Sequence, residues 1–169
     1  MILIIMGVAG SGKTTVGLKA AEALGWEFCD ADDFHPRENI AKMSAGIPLN
    51  DEDRAPWLAA IRAGIDSRLA RGQNAVFTCS ALKEAYRRAI IADPSQVRLV
   101  YLEGDFRLLQ RRLGQRQGHF MKPEMLQSQL AALEPPQNAL RLDIAETPDA
   151  LAKRILAAFG PLRAAGGAG

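Results

Sequence analysis

The sequence predicts an α/β fold built on a parallel β-sheet, and three observations carry that prediction. Short, strongly apolar runs recur along the chain, Ile2-Leu3-Ile4-Ile5-Met6 first among them, as strands buried on both faces of a parallel sheet require. Each run is followed by a segment whose apolar residues repeat at helical spacing, and strands alternating with helices imply right-handed crossovers. Between the first run and the first helix stands Gly7-Val8-Ala9-Gly10-Ser11-Gly12-Lys13-Thr14, which fits the phosphate-binding pattern G-x-x-x-x-G-K-[ST]. Its glycines let the backbone curl so that successive N–H groups face inward. A helix starting near Lys13 adds its positive end, so phosphate oxygens find donors on several sides. Lys13 reaches toward the β- and γ-phosphates, and Thr14, followed by Thr15, offers a hydroxyl to Mg²⁺.

The first helix is expected over residues 14–24, with Val16, Ala20, Ala23 and Leu24 on its apolar face and Gly25 closing it. Residues 26–29 read as a second strand that runs into Asp30-Ala31-Asp32-Asp33-Phe34-His35-Pro36. A short helix over residues 37–45 carries Ile40 and Met43, ends at Gly46, and leads into the extended connector Ile47-Pro48-Leu49. Asn50 can cap the next helix, but Pro56 argues for a regular helix only from Ala55, with the acids Asp51, Glu52 and Asp53 on a preceding turn. Leu58, Ile61, Ile65 and Leu69 then mark one apolar face as far as Arg71, and Gly72 ends it.

Residues 75–79 form a third buried strand, and a helix is expected to open directly at Ser80 and to run to about Ala92. A fourth strand over residues 97–102 precedes a stripe of Phe106, Leu109 and Leu113, with Arg112 and Arg116 four apart on an adjoining face. Residues 114–123 break the pattern before a helix over 125–133, a fifth strand over 140–144 and a last helix over 148–159. One domain over residues 1–160 is expected, with a disordered Gly- and Ala-rich tail over 161–169.

Composition bounds the function. With 21 basic against 19 acidic residues the net charge is +2, which gives no footprint for nucleic acid or a membrane surface, so the expected partner is a small molecule. Cys29 and Cys79 sit in apolar runs and read as buried free thiols, consistent with a reducing, cytoplasmic setting. No stretch approaches the roughly 20 apolar residues of a membrane span, and no basic segment precedes the apolar start as a signal peptide would require.

Ligands of open parallel sheets bind beyond the carboxyl ends of the strands. The loops after the first three strands therefore converge, bringing together the phosphate loop, Asp30 with Asp32, and Ser80 with Lys83. Two carboxylates two residues apart beside ATP suit two tasks: a hold on Mg²⁺ and removal of a proton from an attacking hydroxyl. The third strand ends in Thr-Cys-Ser rather than an acid, and no N-K-x-D occurs, which points away from motor ATPases and GTPases and toward small-molecule kinases. Arg112, Arg116, His119 and Lys122 surround the break over 114–123, the pattern of a lid that brings cations onto a transferring phosphoryl group. Arg54, Lys83, Tyr86 and Arg87 are the remaining polar residues at loop–helix junctions on this side. Arg54 is the first choice for an acceptor's carboxylate, because a guanidinium holds one with two parallel bonds.

Five blocks together carry a resemblance: Met6 to Thr14, Asp30-Ala31-Asp32-Asp33-Phe34-His35-Pro36, Gly46-Ile47-Pro48-Leu49-Asn50-Asp51-Glu52-Asp53-Arg54, Cys79-Ser80-Ala81-Leu82-Lys83 with Tyr86-Arg87, and Arg116-Gln117-Gly118-His119-Phe120. Over roughly residues 4 to 136 the sequence resembles the gluconokinase family of P-loop kinases. The resemblance implies a P-loop NTPase fold of the nucleoside-monophosphate-kinase kind, with a five-stranded sheet of order 2-3-1-4-5 and a lid. It implies transfer of the ATP γ-phosphoryl to the 6-hydroxyl of D-gluconate in gluconate catabolism, feeding the pentose phosphate or related pathways. Mg²⁺ and a homodimer are implied as well. The roles expected are phosphate binding by residues 7–15 with Arg112 and Arg116, metal binding by Thr14 and Asp30, and proton removal by Asp32, with Lys13 and Arg116 acting on the transferred group. His35, Asn50, Asp53, Arg54, Lys83, Arg87 and His119, with Asp32, are the acceptor-side candidates. The rivals are a kinase of another small acid, such as shikimate, and a nucleotide-binding regulatory or nucleic-acid-end-processing protein.

Overall fold

Five parallel strands form one sheet in the order β2-β3-β1-β4-β5, the order expected. The computed structural model describes residues 1–115 and 123–160. The strands are β1 (Ile2–Met6), β2 (Glu27–Asp30), β3 (Ala75–Thr78), β4 (Val97–Glu103) and β5 (Ala139–Asp143). The helices are α1 (Lys13–Leu24), α2 (Arg37–Ser44), α3 (Asp51–Ala70), α4 (Glu84–Ile90), α5 (Phe106–Gly114), α6 (Pro123–Ala132) and α7 (Pro148–Phe159), and a 3₁₀ turn over Ala31–Phe34 follows β2.

β1 lies at the centre, and all five of its residues are 0% exposed. Because side chains alternate across a strand, Leu3 and Ile5 enter one core with residues of α1, α5, α6 and α7. Ile2, Ile4 and Met6 enter the other, against Trp57, Leu58, Ile61 and Ile65 of α3 and Ile90 of α4. Each such side chain contributes roughly 1.5–3 kcal/mol by leaving water, so β1 is a rigid base for the loop that follows it. The register aligns Asp30 with Thr78 and Thr78 with Ile5, so the ends of β2, β3 and β1 open on one edge.

Two boundaries differ from the sequence expectation. α3 begins at Asp51, not Ala55: Asn50 Oδ1 accepts from the Asp53 N–H at 2.8 Å, and Asp53 Oδ2 accepts from the Asn50 N–H at 3.1 Å. This reciprocal cap, with three acids at the positive end of the helix, outweighs the hydrogen bond Pro56 cannot make, because that bond's acceptor lies on exposed Glu52. α4 begins at Glu84 rather than Ser80 and stops at Ile90. Ala81 stands at φ 42°, a left-handed conformation that cannot continue into a helix.

Both cysteines are free and buried, and burial pushes their thiols up, Cys29 to about 11 and Cys79 to about 12. Among the described residues no helix is long and apolar enough to cross a membrane. The expected disordered tail over 161–169 and most of the expected lid, including Arg116, His119 and Lys122, lie outside the described residues.

α1 packs so closely on the sheet that a Cβ on Gly17 would stand 2.5 Å from Thr78 Cγ2 and 2.9 Å from Phe28 Cε2. Gly17→Ala should therefore cost about 1–3 kcal/mol by overpacking. Gly114→Ala, which meets nothing within 4 Å, should be neutral or slightly stabilising. Urea denaturation of the two variants checks this, and equal midpoints would contradict the packing of α1.

Candidate active site

The phosphate loop joins the buried end of β1 to α1. Gly10 (φ 80°) and Gly12 (φ 88°) take left-handed conformations, and a Cβ on Gly10 would press Leu113 at 2.9 Å. The loop is braced from inside: the Ser11 N–H reaches the Val8 carbonyl at 3.2 Å, and Lys13 Nζ donates to that same oxygen at 3.1 Å. The Ser11 hydroxyl is buried with no hydrogen-bond partner among the described residues. From α6, Gln129 Oε1 accepts from the Ala9 N–H at 2.7 Å. Arg112 extends along the loop: its Nη1 would stand 3.9 Å from a Cβ on Gly12, while its Nη2 donates to the Ile144 carbonyl at 2.6 Å.

The acids after β2 meet the loop directly. Thr14 Oγ1 donates to Asp30 Oδ2 at 3.2 Å, and Asp30 Oδ1 accepts from the Asp32 N–H at 3.1 Å, which starts the 3₁₀ turn. Asp32 opens to solvent on one side, yet its surroundings raise its carboxyl above the usual value, burial first and the Asp30 charge second, with His35 and Lys13 pulling the other way. A raised carboxyl accepts a proton more readily than an ordinary aspartate. The Thr14 hydroxyl and the Asp30 carboxylate are the hard oxygen donors that Mg²⁺ takes. No group of three or more His, Cys, Asp and Glu gathers among the described residues, so such an ion would complete its shell with water and phosphate oxygens.

On the acceptor side the N-terminus of α3 is tied to the segment before α4. Lys83 Nζ donates to both oxygens of Asp51, at 3.1 and 3.0 Å, and the Tyr86 hydroxyl donates to Asp51 Oδ1. Arg54 Nη1 lies 3.5 Å from the same carboxylate and 3.4 Å from the Tyr86 hydroxyl. Tyr86 first and Lys83 second hold the Asp51 carboxyl below its usual value. Two cations thus share one aspartate and leave a positive excess.

The other acceptor-side candidates are placed differently. Arg87 turns inward: its Nη1 donates to the Ala81 and Leu82 carbonyls at 2.9 and 3.0 Å, bracing the left-handed Ala81. Asn50 and Asp53 form the α3 cap, and Lys42 binds Asp53 at 2.6 Å. His35 stacks on Trp57, with ring centroids 4.5 Å apart and planes 7° from parallel. Sequence reasoning missed Asp51 as the hub of the cation cluster, and also Gln129 and Asn39. An Asn in the first turn of α2, four residues after His35, was a usable signal, whereas Gln129 meets a partner 120 residues away.

A phosphate loop at the end of the central strand of a parallel 2-3-1-4-5 sheet, with an acid pair beside it, defines a kinase of the P-loop class. A family model described as an AAA domain matches residues 2–136. The chain is 47% identical over 151 residues to a probable gluconokinase of Xenopus tropicalis, covering 80% of each chain. It is 41% identical over 160 residues to a gluconokinase of Gluconobacter oxydans, covering 93% of this chain and 90% of that one. A solved gluconokinase from Sinorhizobium meliloti superposes with a TM-score of 0.80 at 43% identity, covering 92% of this chain and 89% of that chain. The chain belongs to the gluconokinase family.

The inward turn of Arg87 has a measurable consequence. Arg87→Ala leaves the buried Ala81 carbonyl without its donor, at about 1–3 kcal/mol, while the Leu82 carbonyl keeps the Glu134 N–H at 2.9 Å. A lowered unfolding midpoint is expected. Unchanged stability with a raised KM for the acceptor would instead make Arg87 a substrate ligand.

Proposed function

We propose that the protein transfers the γ-phosphoryl group of ATP to the 6-hydroxyl of D-gluconate, giving 6-phospho-D-gluconate and ADP. The observation that supports this reading is the placing of a phosphate loop, an Asp32 whose carboxyl is raised, and Arg54 and Lys83 sharing Asp51 around the carboxyl ends of the strands. A kinase of a polyol acid needs those three functions, and family membership supports gluconate as the acid.

The loop N–H groups of residues 7–15 and the Lys13 ammonium bind the ATP phosphates. Asp32 takes the proton of the 6-hydroxyl as its oxygen forms a bond to the γ-phosphorus, and the bond from that phosphorus to the ADP oxygen breaks. Thr14 and Asp30 would hold Mg²⁺, which supplies charge neutralisation at the phosphates when bound. Arg112 of α5, with Arg116, counters charge that develops in transfer, and His119 binds the acceptor. Arg54, with Lys83, holds the carboxylate end, and His35 a hydroxyl. The Asn50–Asp53 cap serves the acceptor by fixing the α3 end from which Arg54 projects. A homodimer and a cytoplasmic location complete the proposal, the buried free thiols supporting the latter.

Coupled ADP-release assays across sugar acids test the reading. Gluconate should be used well, and glucose, which lacks the carboxylate, and shikimate, a rigid ring, should be poorer by orders of magnitude. Asp32→Asn should lower kcat by roughly 10²–10⁴ with little change in ATP affinity. An undiminished kcat would remove Asp32 as the base. Arg54→Ala should cost ~2–5 kcal/mol in kcat/KM with gluconate and little with neutral polyols. Equal losses on charged and neutral acceptors would move the carboxylate to Lys83.

A further inference from the structure

Asn39 is a polar side chain only 3% exposed, buried between α2 and the start of α3. Its Nδ2 lies 2.8 Å from the Asp53 carbonyl oxygen and 3.3 Å from His35 Nδ1. A carbonyl oxygen can only accept, so the bond to Asp53 fixes which end of the amide faces inward: it is the NH₂ group. That group's second hydrogen points at His35 Nδ1, which must therefore accept. A ring nitrogen that accepts carries no proton, so a neutral imidazole keeps its proton on Nε2.

The remaining freedom of the ring is removed by its neighbours. The parallel stack on Trp57 fixes its plane, and Trp57 is itself held by its indole N–H, which donates to the Ala31 carbonyl at 2.7 Å. Burial first, with Arg54 acting in the same direction, lowers the affinity of His35 for a second proton, and Asp32 opposes them. The charged groups that act on the ring are thus Asp32 on the 3₁₀ turn and Arg54 on α3. Burial and Arg54 keep the imidazole neutral at pH 7.

We infer that Asn39 is a positioning residue that locks His35 as the Nε2–H tautomer, making His35 a fixed hydrogen-bond donor in the acceptor cleft. This rests on the gluconokinase reading for its purpose and on the Asn39 bonds alone for the tautomer. The consequence for the reaction is a division of labour. His35 cannot compete for the substrate proton at Nε2, which already carries one, so the proton passes to Asp32. The Nε2–H instead donates to a hydroxyl oxygen of the polyol, which selects for acceptors with an oxygen at that point.

The chain contains two histidines, which makes the test direct. Long-range ¹H–¹⁵N correlation spectra of the imidazole-labelled protein at neutral pH, with a His119→Gln variant to assign the signals, report the tautomer without any turnover. The expected pattern for His35 is a proton-bearing Nε2 and a bare Nδ1. In Asn39→Asp a carboxylate replaces the donor, so Nδ1 should gain a proton. A proton on Nδ1 in the wild type, or an averaged mixture, would overturn the assignment.

A second pair of variants does not depend on how Asn39→Asp folds. The amide of His35→Gln reaches the Nε2 position, whereas that of His35→Asn reaches only the Nδ1 position. His35→Gln should keep a kcat/KM for gluconate at least about tenfold higher than His35→Asn, the worth of one well-placed hydrogen bond. Equal losses would overturn the donor role. A wild type that shows the Nε2–H tautomer yet fails to phosphorylate gluconate would uphold the lock and overturn the function it serves.

Discussion

Everything at the candidate site depends on the burial of β1. The strand is flanked by β3 and β4 and covered on both faces, so no part of it reaches water. Beyond its carboxyl end the chain stays buried through Val8 and first meets solvent at Ala9, where it turns toward α1. The phosphate loop is that turn. Its N–H groups are aimed by a fixed strand on one side and a helix held by close packing at Gly17 on the other. The same register places the ends of β2 and β3 beside it, so the acid pair and the Ser80–Lys83 segment share the edge without further design.

Charge on that edge is separated by function. Asp30 and Asp32 sit against the loop, where burial first and the Asp30 charge second raise the proton affinity of Asp32. Arg54 on α3 and Lys83 before α4 are restrained by a single shared aspartate. The restraint keeps both cations oriented while leaving them in positive excess, which suits an anionic acceptor better than a fully neutralised pair would. Arg112 lies beside the loop and donates to the Ile144 carbonyl after β5.

The parts legible in the sequence are those written in local spacing. The alternation of strands and helices, the loop and the pairing of Asp30 with Asp32 follow from periodicity and from residue types a few positions apart, whereas the strand order rests on the family resemblance. The failures are equally specific. The start of α3 is not legible because Pro56 argues against it, and the reciprocal Asn50–Asp53 cap that holds the first turn, with Glu52 exposed, is a matter of geometry. Nothing in an alanine announces the left-handed turn at Ala81. It is held by Arg87, whose spacing alone suggested a free cation for substrate. Asn39 reads as an ordinary helix surface residue, and its burial is set by α3. Gln129 meets the phosphate loop across 120 residues, beyond any spacing rule.

The central claim is that these groups act together to place the γ-phosphoryl of ATP on one oxygen of one acid. It is tested most directly by letting the enzyme turn over ATP with [6-¹³C]gluconate and recording the product by NMR. The account predicts that the labelled carbon acquires coupling to phosphorus, in step with ADP formed. A labelled carbon that stays uncoupled while ADP accumulates, or ADP formed as fast without gluconate, would contradict it.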